Sequence, residues 1–306
     1  MIRTIAGVLL ALALAACASV SPAPTDEGRF VEWESLHAEG LPMQRVTIWL
    51  PPGYDESDRR YPVLYMHDGQ NLFDPAKTHY GKAWQIDDVL RTMVTEGTAE
   101  PHIVVGVWSP GADRYRQYLP QPAAEGVTGA LAGNMREMTG GAIISARYLE
   151  WLADELKPRI DREYRTRPAP ADTTLIGSSM GGIMTCYAIV ERSDVFGRAA
   201  CVSSHWPIAD PGIAAKQKDE IDAIWRGWLG AKLGPPNGRR VWMDHGTALL
   251  DAHYPPYQAK ITEAFRANGW REGKDFVARS YEGAEHDEIA WNARLPEMLA
   301  WLWAEE

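Results

Sequence analysis

Short segments rich in β-branched residues recur along this chain, and longer segments with helical periodicity separate them in its second half. Short buried strands that alternate with helices are typical of a mainly parallel sheet with helices on both faces. The pattern predicts eight strands, of which the first two form an antiparallel pair. In chain order they are residues 30–36, 44–50, 63–67, 103–108, 173–177, 199–203, 240–244 and 276–281.

Two segments between the strands bear on the architecture. Tyr148, Leu149, Leu152 and Leu156 recur with a helical period and predict a core-facing helix from residue 145 to about residue 160, with its apolar stripe closing at Lys157-Pro158. Residues 120–141 are rich in Gly and Ala and have little periodicity. Two alternatives stay open for them, a long loop near the functional site or a partly ordered cap.

The N-terminus has the pattern of an export signal. Arg3 precedes an apolar run over residues 5–16 that is too short to span a bilayer, which needs about 20 apolar residues. Residues 14–17 read Leu-Ala-Ala-Cys and resemble the lipobox of bacterial lipoproteins, in which the cysteine is acylated. We expect a signal peptide over residues 1–16 and a lipidated Cys17 that anchors the chain on the periplasmic side of a bacterial membrane. An ordinary signal peptide with an incidental cysteine is the alternative.

The composition of the chain indicates the size of its core and limits the classes of molecule that it can bind. With 306 residues and 45% hydrophobic content, the chain can bury the core of one large domain. The formal net charge of -10 argues against nucleic acid as a partner. Export permits a disulfide between Cys186 and Cys201, but their apolar surroundings favour two buried free thiols.

A candidate nucleophile follows the fifth predicted strand. Residues 177–181 read Gly-Ser-Ser-Met-Gly, and a helical pattern begins directly after them. This strand, tight turn and helix form the context of the G-x-S-x-G elbow, in which small flanking residues let a strained serine present its hydroxyl above the sheet. We therefore predict an α/β-hydrolase fold with Ser179 as the nucleophile, against the alternative of a glycine-rich connecting turn.

A serine hydroxyl needs a base and an acid that orients the base. In this fold the acid follows a late strand and the histidine follows the last one. The second place is filled by His286, our predicted base. For the acid we select Asp251, while Asp244 and Asp287 are nearby carboxylates that stay open as alternatives.

The segment after the third predicted strand supplies oxyanion donors in this fold. There we select the backbone N–H of Gln70, and the N–H of Met180, which follows the nucleophile, is the second candidate. His67 with Asp68 admits a metal site as the alternative, which is weak because no dense cluster of ligands accompanies them.

These residues resemble the esterase family of α/β-hydrolases that includes esterase D, enterochelin esterases and feruloyl or acetyl xylan esterases. The resemblance covers most of the mature chain and rests on residues 46–54, 64–73, 155–158, 177–181, 246–251 and on His286. We place the catalytic domain at residues 29–306. Residues 17–28 consist of the lipidated Cys17 and a segment rich in Ala, Ser and Pro, which predicts a flexible tether. The resemblance implies the activity of the catalytic domain. It also favours Asp251 over Asp244 and implies hydrolysis of a carboxylic ester without metal or organic cofactor.

One departure concerns Gln117, because relatives often have a glutamate before the tyrosine that matches Tyr118. Asp68, His205 and Trp206 are further candidates for the substrate pocket, with core packing an equal alternative for Trp206. We expect an exported carbohydrate, aryl or siderophore ester as the substrate. Acyl transfer to a sugar alcohol, or a catalytically silent binding lipoprotein of the same fold, are the alternatives.

Overall fold

A computed structural model of the chain describes residues 27–78 and 80–304. The predicted signal peptide, Cys17 and most of the predicted tether lie outside the described residues. Within these two ranges, no helix is long and apolar enough to cross a membrane.

A single sheet of eight strands runs through the described part of the chain, with the strand order β1-β2-β4-β3-β5-β6-β7-β8. β2 pairs antiparallel with both β1 and β4, and every other neighbouring pair is parallel. This arrangement confirms the predicted α/β class and the mostly parallel sheet. The strands are β1 Arg29–Leu36, β2 Gln44–Leu50, β3 Val63–His67, β4 Ile103–Val107, β5 Thr173–Ser178, β6 Arg198–Val202, β7 Arg240–Gly246 and β8 Phe276–Tyr281.

Helices cover both faces of the sheet and bury it on each side. Alternate residues of β3 show the two cores, because Val63 and Tyr65 join one buried cluster while Leu64 and Met66 join the other. The α-helices are α1 Ile86–Thr95, α2 Arg114–Tyr118, α3 Gln121–Gly126, α4 Gly129–Thr139, α5 Ser145–Glu150, α6 Lys157–Glu163, α7 Met180–Glu191, α8 Pro211–Ala214, α9 Lys218–Lys232, α10 Pro255–Ala267, α11 Glu288–Asn292 and α12 Leu295–Trp303.

The helix predicted from residue 145 exists but has a π-helical middle. Trp151–Leu156 is a π-helix between α5 and α6, and the N–H of Lys157 bonds to the carbonyl of Leu152, five residues earlier. This wider turn lets the helical rod pass Pro158, which lacks an N–H, and continue to Glu163.

Residues 120–141 are mostly helical, so the alternative of a long loop is wrong, while the alternative of a cap stays a prediction. α3 and α4 fill this segment, and α4 is fastened to the chain before α8. The Asn134 amide donates to the Asp210 carboxylate at 3.0 Å and accepts the Asp210 backbone N–H at 3.1 Å. The high content of Gly and Ala hid these helices, because such residues carry little apolar periodicity.

Cys186 and Cys201 are both buried and both free. Burial raises the pKa of the Cys201 thiol well above its usual range. These thiols therefore contribute to packing as small apolar groups.

Candidate active site

Ser179 lies in a strained turn between β5 and α7. Its backbone has φ 57° and ψ −121°, a conformation that L-residues rarely adopt. A side chain at Gly177 would place its Cβ 2.4 Å from the carbonyl oxygen of Gly181, so the turn closes only around glycine. This geometry holds Ser179 at the carboxyl edge of the sheet, as the elbow pattern predicts.

Asp251 and His286 meet at the same edge of the sheet. Asp251 lies in the 3-10 turn Leu249–His253 after β7, and His286 lies in the loop after β8. His286 Nδ1 is 2.5 Å from Asp251 Oδ1, with the carboxylate fully buried and the imidazole 15% exposed. Because an ionised carboxylate only accepts hydrogen bonds, Nδ1 carries the proton and Nε2 is available as an acceptor.

Three donors keep Asp251 ionised. Burial alone would raise the pKa of this carboxyl, but hydrogen bonds from His286, from the Ser203 hydroxyl and from the backbone N–H of Gly246 lower it below its ordinary value. The two other carboxylates considered for this role have different partners. Asp244 pairs with Arg294, and Asp287 pairs with Lys82.

A cleft of about 660 Å³ opens in front of these residues. Ser179 and His286 both line it, together with Gln70 from the loop after β3. The remaining lining residues are Asp68, Asn71, Tyr80, Lys82, Arg114, Ser178, Asp287, Glu288 and Trp291. The lining is therefore rich in polar groups, with aromatic side chains on it.

Two ion pairs formed within the protein line this cleft. Arg114 holds Asp68 through two bonds of 2.7 and 2.8 Å. Burial would raise the pKa of Asp68, but the Arg114 guanidinium lowers it below the usual range. On the other side of the cleft, the Lys82 ammonium is 2.6 Å from Asp287, whose carboxylate also accepts the N–H of Ala290 at 2.9 Å and so caps α11. Both lining cations already have a carboxylate partner.

The predicted oxyanion donors lie on segments that pack against each other. Met180 is the first residue of α7, and Gln70 lies in the 3-10 turn Gly69–Asn71. A Cβ at Gly181 would lie 3.2 Å from the Cβ of His67, which shows how closely the loop after β3 approaches the elbow. The Gln70 side chain is held away from the nucleophile, because it exchanges two hydrogen bonds with Ser109 at 2.8 and 3.1 Å.

His205 contacts the nucleophile through its backbone, and Asp251 orients His286 instead of His205. Its backbone N–H donates to the carbonyl of Ser179 at 3.0 Å, and its Nδ1 is 2.9 Å from the hydroxyl of Tyr254. Burial lowers the pKa of His205 to about 4, so the ring stays neutral. An interaction with the Ser179 side chain also lowers the pKa of Tyr254, against the larger rise that burial causes. Sequence reasoning missed Tyr254, whose position three residues after Asp251 was the one available signal.

The other predicted pocket residues have structural partners. Trp206 is fully buried and donates to the Gln258 side chain at 3.0 Å, which fits the core-packing alternative. Gln117 pairs with Gln44 in the core at 3.2 Å, so a neutral pair of amides occupies this position. His67 Nδ1 is 3.0 Å from the Tyr148 hydroxyl, and residues 27–78 and 80–304 contain no group of three or more side chains suited to a metal.

Comparison with known proteins decides the family. The family model described as Putative esterase matches residues 43–302. The chain belongs to this family. The match spans the sheet from β2 to β8 and includes Ser179, Asp251 and His286, so the esterase resemblance seen in the sequence is confirmed.

Two curated relatives of this esterase are distant. An endo-1,4-beta-xylanase/feruloyl esterase of Xylanibacter ruminicola is 24% identical over 260 residues, which is 84% of this chain and 29% of the relative. The Uncharacterized protein YbbA of Bacillus subtilis is 25% identical over 164 residues, which is 53% of this chain and 58% of the relative. The esterase thus spans less than two thirds of the length of both relatives.

Solved structures share the fold of this esterase. An IroE-like serine hydrolase from Shewanella oneidensis matches with a TM-score of 0.63 at 18% identity, over 91% of this chain and 82% of that one. A ferulic acid esterase matches with a TM-score of 0.59 at 18% identity, over 90% and 98%. The enterobactin esterase FES from Shigella flexneri has a TM-score of 0.63 at 18% identity, over 92% and 60%. These likenesses support the α/β-hydrolase fold.

Proposed function

We propose that this esterase hydrolyses carboxylic esters through a Ser179–His286–Asp251 triad and an acyl-enzyme. One observation carries the proposal: the 2.5 Å bond between His286 Nδ1 and Asp251 Oδ1 orients the imidazole in the cleft that Ser179 also lines. Acyl transfer requires a nucleophile, a base and an acid close together, and here three loops at one edge of the sheet carry them.

In the proposed reaction, His286 Nε2 takes the Ser179 proton as Oγ attacks the ester carbonyl. The backbone N–H groups of Gln70 and Met180 hold the oxyanion that forms. The protonated imidazole then gives its proton to the departing alcohol, which leaves an acyl group on Ser179. Water attacks this acyl-enzyme with His286 again as base, and the acid product and free enzyme result.

The lining of the cleft favours an uncharged ester. Arg114 and Lys82 are already paired with Asp68 and Asp287, so an anionic substrate would have to compete with these carboxylates. Exposed Tyr80 offers aromatic surface for a ring or a sugar, while Trp291, which is 5% exposed, forms only a small part of the lining. A carbohydrate or aryl ester therefore suits the cleft better than an anionic siderophore ester, although relatives are named for feruloyl and enterobactin esters.

Ser179→Ala tests the proposal. We expect hydrolysis of a short-chain nitrophenyl ester to fall by several orders of magnitude, and labelling by a fluorophosphonate probe to disappear. Ser204→Ala is the matched control, because this buried serine has a hydroxyl without a partner among the described residues. If the wild-type protein escapes labelling, the binding-module alternative replaces ours. Transfer of the acyl group to an added sugar, in place of release to water, would indicate an acyltransferase.

We also propose that the esterase is exported and anchored in a bacterial membrane through an acylated Cys17. The proposal is supported by the Leu-Ala-Ala-Cys motif at residues 14–17 and by the apolar run before it.

A further inference from the structure

Ser203 is the first residue after β6 and is fully buried behind Asp251. Its hydroxyl has three partners. Ser203 Oγ lies 2.6 Å from Asp251 Oδ2, 3.0 Å from Trp291 Nε1 and 3.2 Å from Arg294 Nη1. The Ser203 hydroxyl thus contacts the acid, Asp251, and two side chains that follow the loop with His286.

The direction of each of these bonds is determined by chemistry. An indole N–H and a guanidinium N–H can only donate, so Trp291 and Arg294 occupy the two lone pairs of the Ser203 oxygen. The single hydroxyl proton must then point to Asp251 Oδ2. Because Gly246 N–H donates to the same carboxylate oxygen at 2.6 Å, Oδ2 is held by two donors and Oδ1 faces His286.

A buried ion pair holds Ser203 in place. Arg294 Nη1 is 2.8 Å from Asp244 Oδ1, with side-chain exposures of 2% and 0%. The Ser203 backbone N–H donates to the Asp244 carbonyl at 2.9 Å and lies 3.2 Å from Asp244 Oδ1. These contacts hold Ser203 at φ 39°, a strained value for a residue other than glycine.

We propose that Ser203 is a positioning residue that sets the rotation and basicity of Asp251. This inference rests on the proposed ester hydrolysis. With its proton committed to Oδ2, Ser203 prevents the carboxylate from turning and leaves Oδ1 as the acceptor for the imidazole. Arg294, one hydroxyl away from Asp251, strengthens the donation because its charge polarises the Ser203 oxygen.

A change in the hydrogen bond between Ser203 and Asp251 should be visible in the pH–rate profile, in the acidic range where the rate falls. The titratable and charged groups that face Asp251 are His286 from the loop after β8, Arg294 and Asp244 behind Ser203, and Tyr254 from the turn before α10. His205, which is bonded to Tyr254, interacts with the charge of His286. Removing the Ser203 donor concentrates negative charge on Asp251, which then stabilises the protonated imidazole more strongly. The acid limb should therefore move to higher pH.

The test compares Ser203→Ala with Ser204→Ala. Both serines are buried neighbours, but the Ser204 hydroxyl has no partner among the described residues. We expect Ser203→Ala to lower kcat for a nitrophenyl ester about tenfold, which corresponds to about 1.4 kcal/mol, with KM unchanged and the acid limb moved upward. Ser204→Ala should keep the kcat, the KM and the limb of the wild-type protein.

A second variant separates activity from folding. Glycine adopts φ 39° without strain, so Ser203→Gly removes the hydroxyl at a lower cost in backbone conformation. It should show the same loss of kcat and the same shift of the acid limb. Wild-type kcat and pH profile in a folded Ser203 variant would overturn the proposal, as would an equal loss in Ser204→Ala or a change in KM alone. Fluorophosphonate labelling of the wild-type protein, abolished by Ser179→Ala, shows separately that the proposed function stands.

Discussion

Replacing His102 by asparagine should reduce the loss of unfolding free energy that this protein suffers at acidic pH. The ring is 2% exposed, stacks on Trp303 with 3.7 Å between ring centroids, and donates from Nδ1 to the carbonyl of Glu100 at 2.8 Å. Burial lowers the pKa of His102 from 6.5 to about 4, although the hydrogen bond to the Glu100 carbonyl and the charge of Glu100 act in the opposite direction. The folded protein keeps the ring neutral at pH values where the unfolded chain protonates it.

The difference between the pKa of His102 in the folded and in the unfolded chain determines how this residue makes the free energy of unfolding depend on pH. A base whose pKa is lower in the folded state stabilises the fold fully above pH 6.5, and this contribution is lost as the pH falls toward 4. The separation between these values corresponds to about 3 kcal/mol of unfolding free energy. His67 and His205 have the same buried state and a pKa lowered to about 4, whereas burial raises the pKa of Asp87 to about 6 and acts in the opposite direction. Because His67, His205 and Asp87 are unchanged in a His102 variant, the difference between this variant and the wild-type protein gives the contribution of His102 alone.

Urea unfolding at about pH 7 and about pH 4.5 measures the effect. The amide of an asparagine can donate from near the position of the imidazole Nδ1, so His102→Asn retains the bond to the Glu100 carbonyl. We expect the loss of unfolding free energy between the two pH values to be smaller by about 2 to 3 kcal/mol in this variant than in the wild-type protein. His253→Asn is the matched control, because His253 is exposed and should leave the loss unchanged. An equal loss in the wild-type protein and His102→Asn would refute the reasoning.

Two further predictions concern the nucleophile and the anchor. Tyr254→Phe should lower kcat about tenfold in ester hydrolysis, because the Tyr254 hydroxyl holds the His205 ring at 2.9 Å and interacts with the Ser179 side chain, while Tyr257→Phe on α10 should not; equal rates in both variants would contradict the role of Tyr254. Cys17→Ser should release the esterase from the membrane fraction of the bacterium that exports it; a variant that stays in that fraction would contradict the anchor.

Much of the fold could be predicted because parallel strands carry dense, local signals. Every predicted strand is present, and the ends differ by at most two residues, as where β7 continues to Gly246. Ser179, Asp251 and His286 were each predicted just after a strand. Parallel strands bring their carboxyl ends to one edge, so predicting the strand ends was enough to expect these side chains near each other.

The contacts behind the site could not be predicted, because they join residues that are distant along the chain. Ser203 contacts Asp251, Trp291 and Arg294 only after three separate segments, those after β6, after β7 and around α11, have packed together. Nothing in the local sequence around Arg294 distinguishes a buried arginine from a surface one. The helices within residues 120–141 were missed for a different reason, since weak apolar periodicity leaves their formation to tertiary contacts.

The double role of Asp287 has a thermodynamic consequence for the loop that carries His286. This carboxylate caps α11 and binds Lys82, so the residue next to the imidazole is held on two sides by groups of the protein itself. The conformational entropy of this loop is therefore lost once, when the chain folds, and not at each encounter with substrate. We therefore expect association with an ester to leave this loop in place, so that the free energy of binding is available for orienting the ester carbonyl at Ser179.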